Sequence, residues 1–123
     1  LERCVFWQKK APQYQMKGVY QQADFFLLPT EYEIFGMVLL EAMFFRRVVL
    51  TTPNGGADML LRSGENGLVL EKSDPARWAK ALLDTAADPE KKVRMEQAAY
   101  ETVIHENTWD ALADRFLAVY EKR

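Results

Sequence analysis

The chain is poor in residues that bind metals or form covalent cross-links. Its 123 residues contain a single cysteine, Cys4, and a single histidine, His105. One cysteine excludes an intrachain disulfide and a cysteine-based zinc cluster, so we expect no metal in a functional site. We interpret Cys4 as a small buried hydrophobic residue and His105 as a surface or helix-packing residue.

A basic excess and a long apolar run are also missing. Lys and Arg number 16 against 18 for Asp and Glu, and the net charge is -2. Because nucleic-acid binding relies on clustered cations, we expect no nucleic-acid partner. The longest apolar run, residues 35–45, contains Gly36 and Glu41 and is far shorter than the ~20 residues that span a bilayer. We expect a cytoplasmic location, with contact to a membrane surface open only through a longer protein.

Short apolar runs alternate with helical segments in residues 1–72. The continuous apolar run Phe25–Leu28 ends at Pro29 and is typical of a strand buried on both faces of a parallel sheet. Similar runs predict strands over residues 4–7, 48–53 and 67–70, and helices are predicted over residues 12–22, 36–45 and 57–61. Such alternation predicts an α/β fold with a Rossmann-like parallel sheet.

Residues 73–123 are predicted to be helical. Asp74 and Asp88 each precede a proline, and Thr108 precedes the last apolar stripe, so all three are expected to cap helices. Trp78 belongs to the apolar face of the first of these helices. We also predict core positions for the apolar face of the last helix, which is formed by Trp109, Leu112, Phe116 and Tyr120.

A carboxylate interrupts the apolar stretch "EIFGMVLLEAMFF". In a helix that begins near Gly36, residues three and four apart share a face, so Glu41 would lie among apolar neighbours. A lone charge there is costly unless it is paired. Glu41 therefore either pairs with a cation such as Arg46 or Arg47, or binds a ligand.

The position of the stretch favours a ligand. Glu33 would lie in the loop after a strand, at the edge where parallel sheets bind ligands, and Gly36 allows close backbone approach. The helix start supplies N–H donors for phosphate or sugar oxygens. Glu41 would lie ~7.5 Å further along the axis, where a carboxylate can accept hydrogen bonds from a ribose diol. On spacing alone, a solvated Glu33 remains the alternative.

The segment "ADFFLLPTEYEIFGMVLLEAM" resembles the donor-binding segment of family-four retaining glycosyltransferases, which have the GT-B architecture of two Rossmann domains. The matching positions are Pro29-Thr30, residues 33–36 and residues 41–43, and Glu33 and Glu41 keep the seven-residue gap of the family. The resemblance continues through "NGGADMLLRSGENGLVL". It implies that the chain is one partial domain, the second half of a GT-B C-terminal domain with a helical C-terminal segment.

The resemblance also implies roles for individual residues. Glu33 would be the catalytic residue that contacts hydroxyls of the transferred sugar, and Glu41 would bind the nucleotide ribose. Backbone N–H groups of Phe35, Gly36 and Met37 would contact donor sugar or phosphate, with Val38 nearby. The implied reaction transfers a hexose from a nucleotide sugar with retention of configuration, without a metal or cofactor.

Some positions depart from the family pattern. Arg46 stands in the segment where the family has a glycine, and a left-handed helix end there would carry strain. We interpret Arg46 and Arg47 as cations at a helix C-terminus. Met59 stands where the family has a glutamate, so the Gly-Gly loop receives no role, and Asn54 is interpreted as a turn former. Gln8 either lies in a solvated loop or contacts the nucleotide base.

The resemblance leaves two strand–helix units and an N-terminal acceptor domain unaccounted for. In the strand order 3-2-1-4-5-6, the run at Val5 would be the third strand and Phe25–Leu28 the fourth, with the missing strands between them. We therefore expect little transferase activity from this chain alone. Another chain could supply the missing strands, either by strand exchange or in a homo-oligomer. The base, the hexose and the acceptor stay open.

Three functions are compatible with these features. The leading one is the donor-binding part of a retaining glycosyltransferase. The alternative is a non-catalytic module that binds nucleotide sugars or assembles with a partner chain. A nucleotide-sugar epimerase or a phosphorylase with two Rossmann domains is the third.

Overall fold

The computed structural model describes residues 4–72 and 74–122. A 3-10 turn, Gln13–Gln15, leads into the first helix. The helices and strands are α1 Met16–Gln22, β1 Phe25–Leu28, α2 Met37–Phe44, β2 Val48–Thr51, α3 Gly55–Leu60, β3 Leu68–Val69, α4 Pro75–Ala86, α5 Pro89–Glu101 and α6 Trp109–Glu121, with a π-helical turn, Thr102–Glu106, between the last two. The predicted alternation of strands and helices, followed by helices, is confirmed from residue 12 onward.

The three strands form one parallel sheet in the order β1-β2-β3. Phe25 pairs with Val48 and Leu28 with Thr51, and Leu50 then pairs with Leu68 across the next interface. All four residues of β2 are buried, as expected for a central strand covered on both faces. The prediction of a Rossmann-like parallel sheet is therefore confirmed.

The core lies on both faces of β2 because successive side chains point to opposite faces of a strand. Val49 packs on one side with Leu39 and Met43 of α2. Val48 and Leu50 pack on the other side with Met95 of α5, and Trp78 covers this second cluster. The predicted core position of Trp78 is thus supported.

The predicted helix caps are present. The side chain of Asp74 accepts from the N–H of Arg77 at 2.9 Å, and Asp88 does the same for Lys91 at 2.9 Å. Thr108 caps α6 in the same way. Each cap satisfies one of the N–H groups that a helix start leaves unpaired.

The predicted first strand is wrong. Residues 4–7 form no strand and pair with none of the strands described, and Phe6 and Trp7 are 91% and 86% exposed. Cys4 is exposed rather than buried. β-propensity reports how well a side chain fits a half-buried sheet surface, and the described part of the chain offers residues 4–7 no such surface.

The predicted core face of the last helix is also wrong. Trp109 is 86% exposed, and Phe116 and Tyr120 are exposed as well. The helical spacing does place these residues on one face of α6, but spacing cannot say whether another element covers that face. In the described residues none does so fully. His105 is exposed, in agreement with its interpretation.

Helix α2 ends in a left-handed turn at Arg46, whose φ is 57°. The N–H of Arg46 donates to Met43 and the N–H of Arg47 to Ala42, at 3.0 and 2.9 Å, which is a Schellman motif. The guanidinium of Arg46 lies 4.1 Å from the centre of the Tyr100 ring. Both arginines lie at the helix C-terminus, as interpreted.

The side chain of Arg47 links two helix ends. Its Nε donates to the carbonyl of Phe45 at 2.7 Å, and a second guanidinium nitrogen donates to the carbonyl of Ala23, just beyond α1.

No helix described for residues 4–72 and 74–122 has the length and hydropathy to cross a bilayer.

The left-handed turn predicts that glycine is more stable than alanine at position 46, which is the reverse of their order inside a helix. Arg46→Gly and Arg46→Ala both lose the contact with Tyr100, but only glycine relieves the backbone strain of about 1–2 kcal/mol. We expect Arg46→Gly to be the more stable of the two by about 1 kcal/mol in urea unfolding. A more stable Arg46→Ala would contradict a left-handed residue here.

Candidate functional site

The candidate site begins where β1 ends and α2 starts. Gly36 is the N-cap of α2, with φ 74° and ψ 61°. A Cβ at this position would lie 2.8 Å from Cδ1 of Leu39. Both the left-handed backbone and the lack of space therefore require glycine. The sharp turn at Gly36 brings Glu33 beside the helix start.

The carboxylate of Glu33 turns back onto its own loop. Its Oε1 accepts from the N–H of Ile34 at 3.0 Å and from the N–H of Gly36 at 3.1 Å. This places a negative charge at the positive end of the α2 dipole, which is a favourable arrangement. Glu33 is half-buried and organises the loop instead of lying in it as a solvated side chain.

The start of α2 has backbone donors that could face a ligand. The N–H of Leu39 donates to the carbonyl of Gly36 at 2.8 Å. Within residues 4–72 and 74–122, the N–H groups of Phe35, Met37 and Val38 have no recorded acceptor. Of the three N–H groups predicted to contact a donor, those of Phe35 and Met37 are thus available, whereas Gly36 already donates to Glu33.

Glu41 has a partner that was not predicted. Its Oε2 accepts a hydrogen bond from the hydroxyl of Tyr20 at 2.9 Å, from 21 residues earlier in the chain. Neither Arg46 nor Arg47 forms an ion pair with Glu41 in the described part of the structure. The alternative of a cation partner is therefore wrong, and the charge in the apolar stretch is stabilised by a buried hydroxyl.

Tyr20 is held firmly in this position. Only 3% of the residue is exposed, and its ring stacks on Phe45 at 5.5 Å between centroids and contacts Phe26 at 5.9 Å. Burial raises the pKa of Tyr20, and the hydrogen bond to Glu41 raises it further. A raised pKa keeps the phenol protonated at ordinary pH, so Tyr20 remains the donor in this pair.

Gly55 and Gly56, at the start of α3, pack against the backbone of the loop that contains Glu33. We call this backbone contact the glycine floor. The N–H of Gly55 donates to the carbonyl of Glu33 at 3.0 Å. A Cβ on Gly55 would lie 2.5 Å from the carbonyl oxygen of Ile34, and one on Gly56 would lie 2.3 Å from that of Phe35. Both glycines are needed for this backbone contact, which gives the Gly-Gly loop a role that the sequence left unassigned.

Asn54 caps α3 instead of acting only as a turn former. Its Oδ1 accepts from the N–H of Ala57 at 2.9 Å, and its Nδ2 donates to the carbonyl of Thr52 at 2.7 Å and to Oγ1 of Thr51 at 3.1 Å. The hydroxyl of Thr52 in turn donates to the carbonyl of Thr30. These bonds join the loops that follow β1 and β2.

A cavity of about 540 Å³ adjoins the start of α2. It is lined mainly by apolar side chains from the Glu33 loop, α2, α3 and α6, including Phe35, Met37, Met59 and Trp109. Neither Glu33 nor Glu41 lines it, so this cavity and the two carboxylates do not coincide. We place the candidate polar site at the carboxylates, because a mainly apolar cavity offers few hydrogen-bond partners to a polar or charged ligand.

The described residues contain no group of three or more His, Cys, Asp or Glu side chains arranged to hold a metal ion. Gln8 is exposed, and its side chain forms no hydrogen bond with the described residues of this site.

The family comparison covers most of the chain. Residues 1–102 match the family described as glycosyl transferases group 1. The chain is 31% identical over 122 residues to the D-inositol 3-phosphate glycosyltransferase of Corynebacterium jeikeium (strain K411), covering 99% of this chain and 29% of that protein. It thus spans less than a third of the length of this curated relative.

Solved structures share the fold. The C-terminal domain of a group 1 glycosyl transferase (LpcC) from Francisella tularensis matches with a TM-score of 0.76 and 23% identity, over 85% of this chain and 53% of that one. The Anabaena protein Alr3699/HepE, solved in complex with UDP-glucose, matches with a TM-score of 0.68 and 20% identity, over 85% of this chain and 29% of that one. The sheet and helices are therefore those of a GT-B C-terminal domain.

The glycine floor predicts opposite changes in stability for two Gly→Ala variants. In Gly56→Ala the new Cβ meets the Phe35 carbonyl, so the loop must move, and we expect a loss of about 1–3 kcal/mol in thermal or urea unfolding. Gly18→Ala in α1 is the matched control, since a Cβ there meets nothing within 4 Å and should stabilise the helix by about 0.5–1 kcal/mol. Equal stabilities would refute the tight backbone contact.

Proposed function

Because the chain belongs to the group 1 glycosyl transferases, we propose that it is the donor-binding part of an enzyme that transfers a hexose from a nucleotide sugar with retention of configuration. The observation that carries this proposal is the arrangement after β1. Glu33 and unpaired N–H groups lie at the start of α2, and Glu41 follows within the same helix. The UDP-glucose bound by the Anabaena protein of the same fold is a ligand of the class we propose.

We assign the nucleotide end of the donor to Glu41. Its Oε2 is bound by Tyr20, and an ionised carboxylate has further acceptor positions for the hydroxyls of a ribose. The N–H groups of Phe35 and Met37 would contact the diphosphate or the sugar, helped by the helix dipole. Val38 lies in the same turn and would contribute its N–H group.

We assign the sugar end to Glu33. The N–H groups of Ile34 and Gly36 bind Oε1, which orients the carboxylate and leaves acceptor capacity for a sugar hydroxyl. In the proposed reaction, the bond between the anomeric carbon and the diphosphate oxygen breaks and its electron pair leaves with the diphosphate. The acceptor hydroxyl bonds to the same carbon on the same face, and its proton passes to an oxygen of the departing diphosphate. N–H donors near the leaving oxygens would stabilise their growing charge.

The remainder of the enzyme would come from outside this chain. The chain covers 29% of its curated relative, and we propose that an N-terminal domain supplies the acceptor site and that the protein works in the cytoplasm without a metal or cofactor. We propose residues 1–123 as part of one nucleotide-sugar-binding domain, inactive as a transferase by itself. A second copy, or a strand from another chain, would fill the gap in the sheet, and the oligomeric state of the chain in solution tests this.

A non-catalytic binding or assembly module remains the second candidate. The observation that favours it is the exposed apolar face of α6, which includes Trp109, Phe116 and Tyr120. A face of this kind is typical of a surface that contacts another polypeptide or another domain. A transfer assay on the longer protein separates the two candidates, because only the enzyme forms a glycosidic product.

The ribose assignment predicts a selective loss of nucleotide binding in Glu41→Ala. We expect one of UDP, GDP and ADP to bind in ligand-observed NMR titrations, and the variant to lose about tenfold in affinity, because hydrogen bonds to a charged group are removed. Glu71→Ala is the matched control, since Glu71 is exposed and lies outside the site. Unchanged affinity in Glu41→Ala, in a folded sample, would disprove the assignment.

The catalytic assignment predicts a different pattern for Glu33→Gln. The amide oxygen can still accept from Ile34 and Gly36, so the loop should persist, but the negative charge is lost. In the longer protein we expect the transfer rate to fall about 100-fold while nucleotide affinity stays within about threefold. Steady-state kinetics and nucleotide titration test both halves. A variant with the wild-type rate would remove Glu33 from the catalytic role.

A further inference from the structure

Tyr20 is a buried polar residue that the motif around Glu33 and Glu41 does not include. It lies in α1, before the sheet strand β1, and 3% of it is exposed. A buried tyrosine hydroxyl needs a hydrogen-bond partner. Here the partner is the Oε2 of Glu41, at 2.9 Å, and not a backbone carbonyl or another hydroxyl.

Tyr20 and Glu41 differ in burial, and this difference suits the binding of a ligand by Glu41. Tyr20 is buried, whereas Glu41 is only partly buried. One carboxylate oxygen is thus held by the protein, and the other keeps its full acceptor capacity. A hydrogen bond that ends on a charged carboxylate is stronger than one between two neutral groups, so it restricts the rotation of a side chain that otherwise has several rotamers.

The tyrosine itself cannot easily move. Its ring is stacked on Phe45, at 5.5 Å and an interplanar angle of 14°, and it packs against Phe26 of β1. Leu39 and Met43 belong to the same buried cluster. The hydroxyl is therefore fixed relative to both β1 and α2, the two elements that flank the candidate site.

We propose that Tyr20 is a positioning residue that orients the Glu41 carboxylate toward the ribose diol of the nucleotide. The inference rests on the proposed function, because it assumes the ribose role of Glu41. Tyr20 would contact no substrate. It would act by holding one oxygen of Glu41, so that binding the diol does not have to order the side chain.

The test compares two ligands on the same protein sample. A nucleoside diphosphate and its 2′-deoxy counterpart, of the base that binds best among uridine, guanosine and adenosine, are titrated by ligand-observed NMR. Tyr20→Phe keeps the ring and its packing but removes the donor. Because both ligands are measured on the same sample, their affinity ratio is independent of any loss of folded protein.

We expect wild type to prefer the ribonucleotide by about tenfold and Glu41→Ala to lose that preference. Tyr20→Phe should lower the preference by about threefold or more. The control Tyr14→Phe should leave it unchanged, since Tyr14 is exposed and its hydroxyl, among the described residues, forms a hydrogen bond only with Gln15. A joint variant, Tyr20→Phe with Glu41→Ala, should lose no more than Glu41→Ala alone.

The outcomes separate this inference from the proposal beneath it. If Tyr20→Phe keeps the wild-type ratio while Glu41→Ala abolishes it, the positioning role is wrong and the ribose assignment stands. If wild type shows no preference, or if Glu41→Ala keeps the preference, the ribose assignment fails, and the positioning role fails with it.

Discussion

The candidate site depends on the parallel pairing of β1 with β2. Parallel neighbours end at the same edge of a sheet, so the loops that follow them must meet. Here they meet backbone to backbone, through the bond from the Gly55 N–H to the Glu33 carbonyl and the close approach of Gly56 to Phe35. Two adjacent glycines allow this contact, and the loop of Glu33 is consequently supported from below rather than suspended in solvent.

This support explains how an eight-residue helix can carry a site. Each of the two carboxylates has one oxygen engaged by the protein, Glu33 by its own loop and Glu41 by Tyr20. Because these hydrogen bonds hold the two carboxylates before a ligand arrives, binding has to order the side chains less. The apolar neighbours of Glu41 are then compatible with its charge, since a buried hydroxyl offsets part of the desolvation.

Most of the fold could be predicted from the sequence, and the failures share a cause. Strand and helix identities follow from local periodicity and capping, so Phe25–Leu28, α2 and the Asp74 and Asp88 caps were predictable. The predicted strand near Val5 and the predicted burial of Trp109 depended on surfaces that the described residues do not provide. Apolar character indicates a need for burial but does not identify what supplies it.

The sequence by itself determined the order of elements from residue 12 onward, the spacing of Glu33 and Glu41 on one loop and helix, and the family resemblance they carry. These are local properties, encoded within one or two turns of chain. Only the tertiary structure decided what each carboxylate contacts. The bond from Tyr20 to Glu41 spans 21 residues, and the glycine floor comes from the start of α3, after the next strand. Contacts at such separations depend on how helices and strands pack, which no pattern of neighbouring residues specifies.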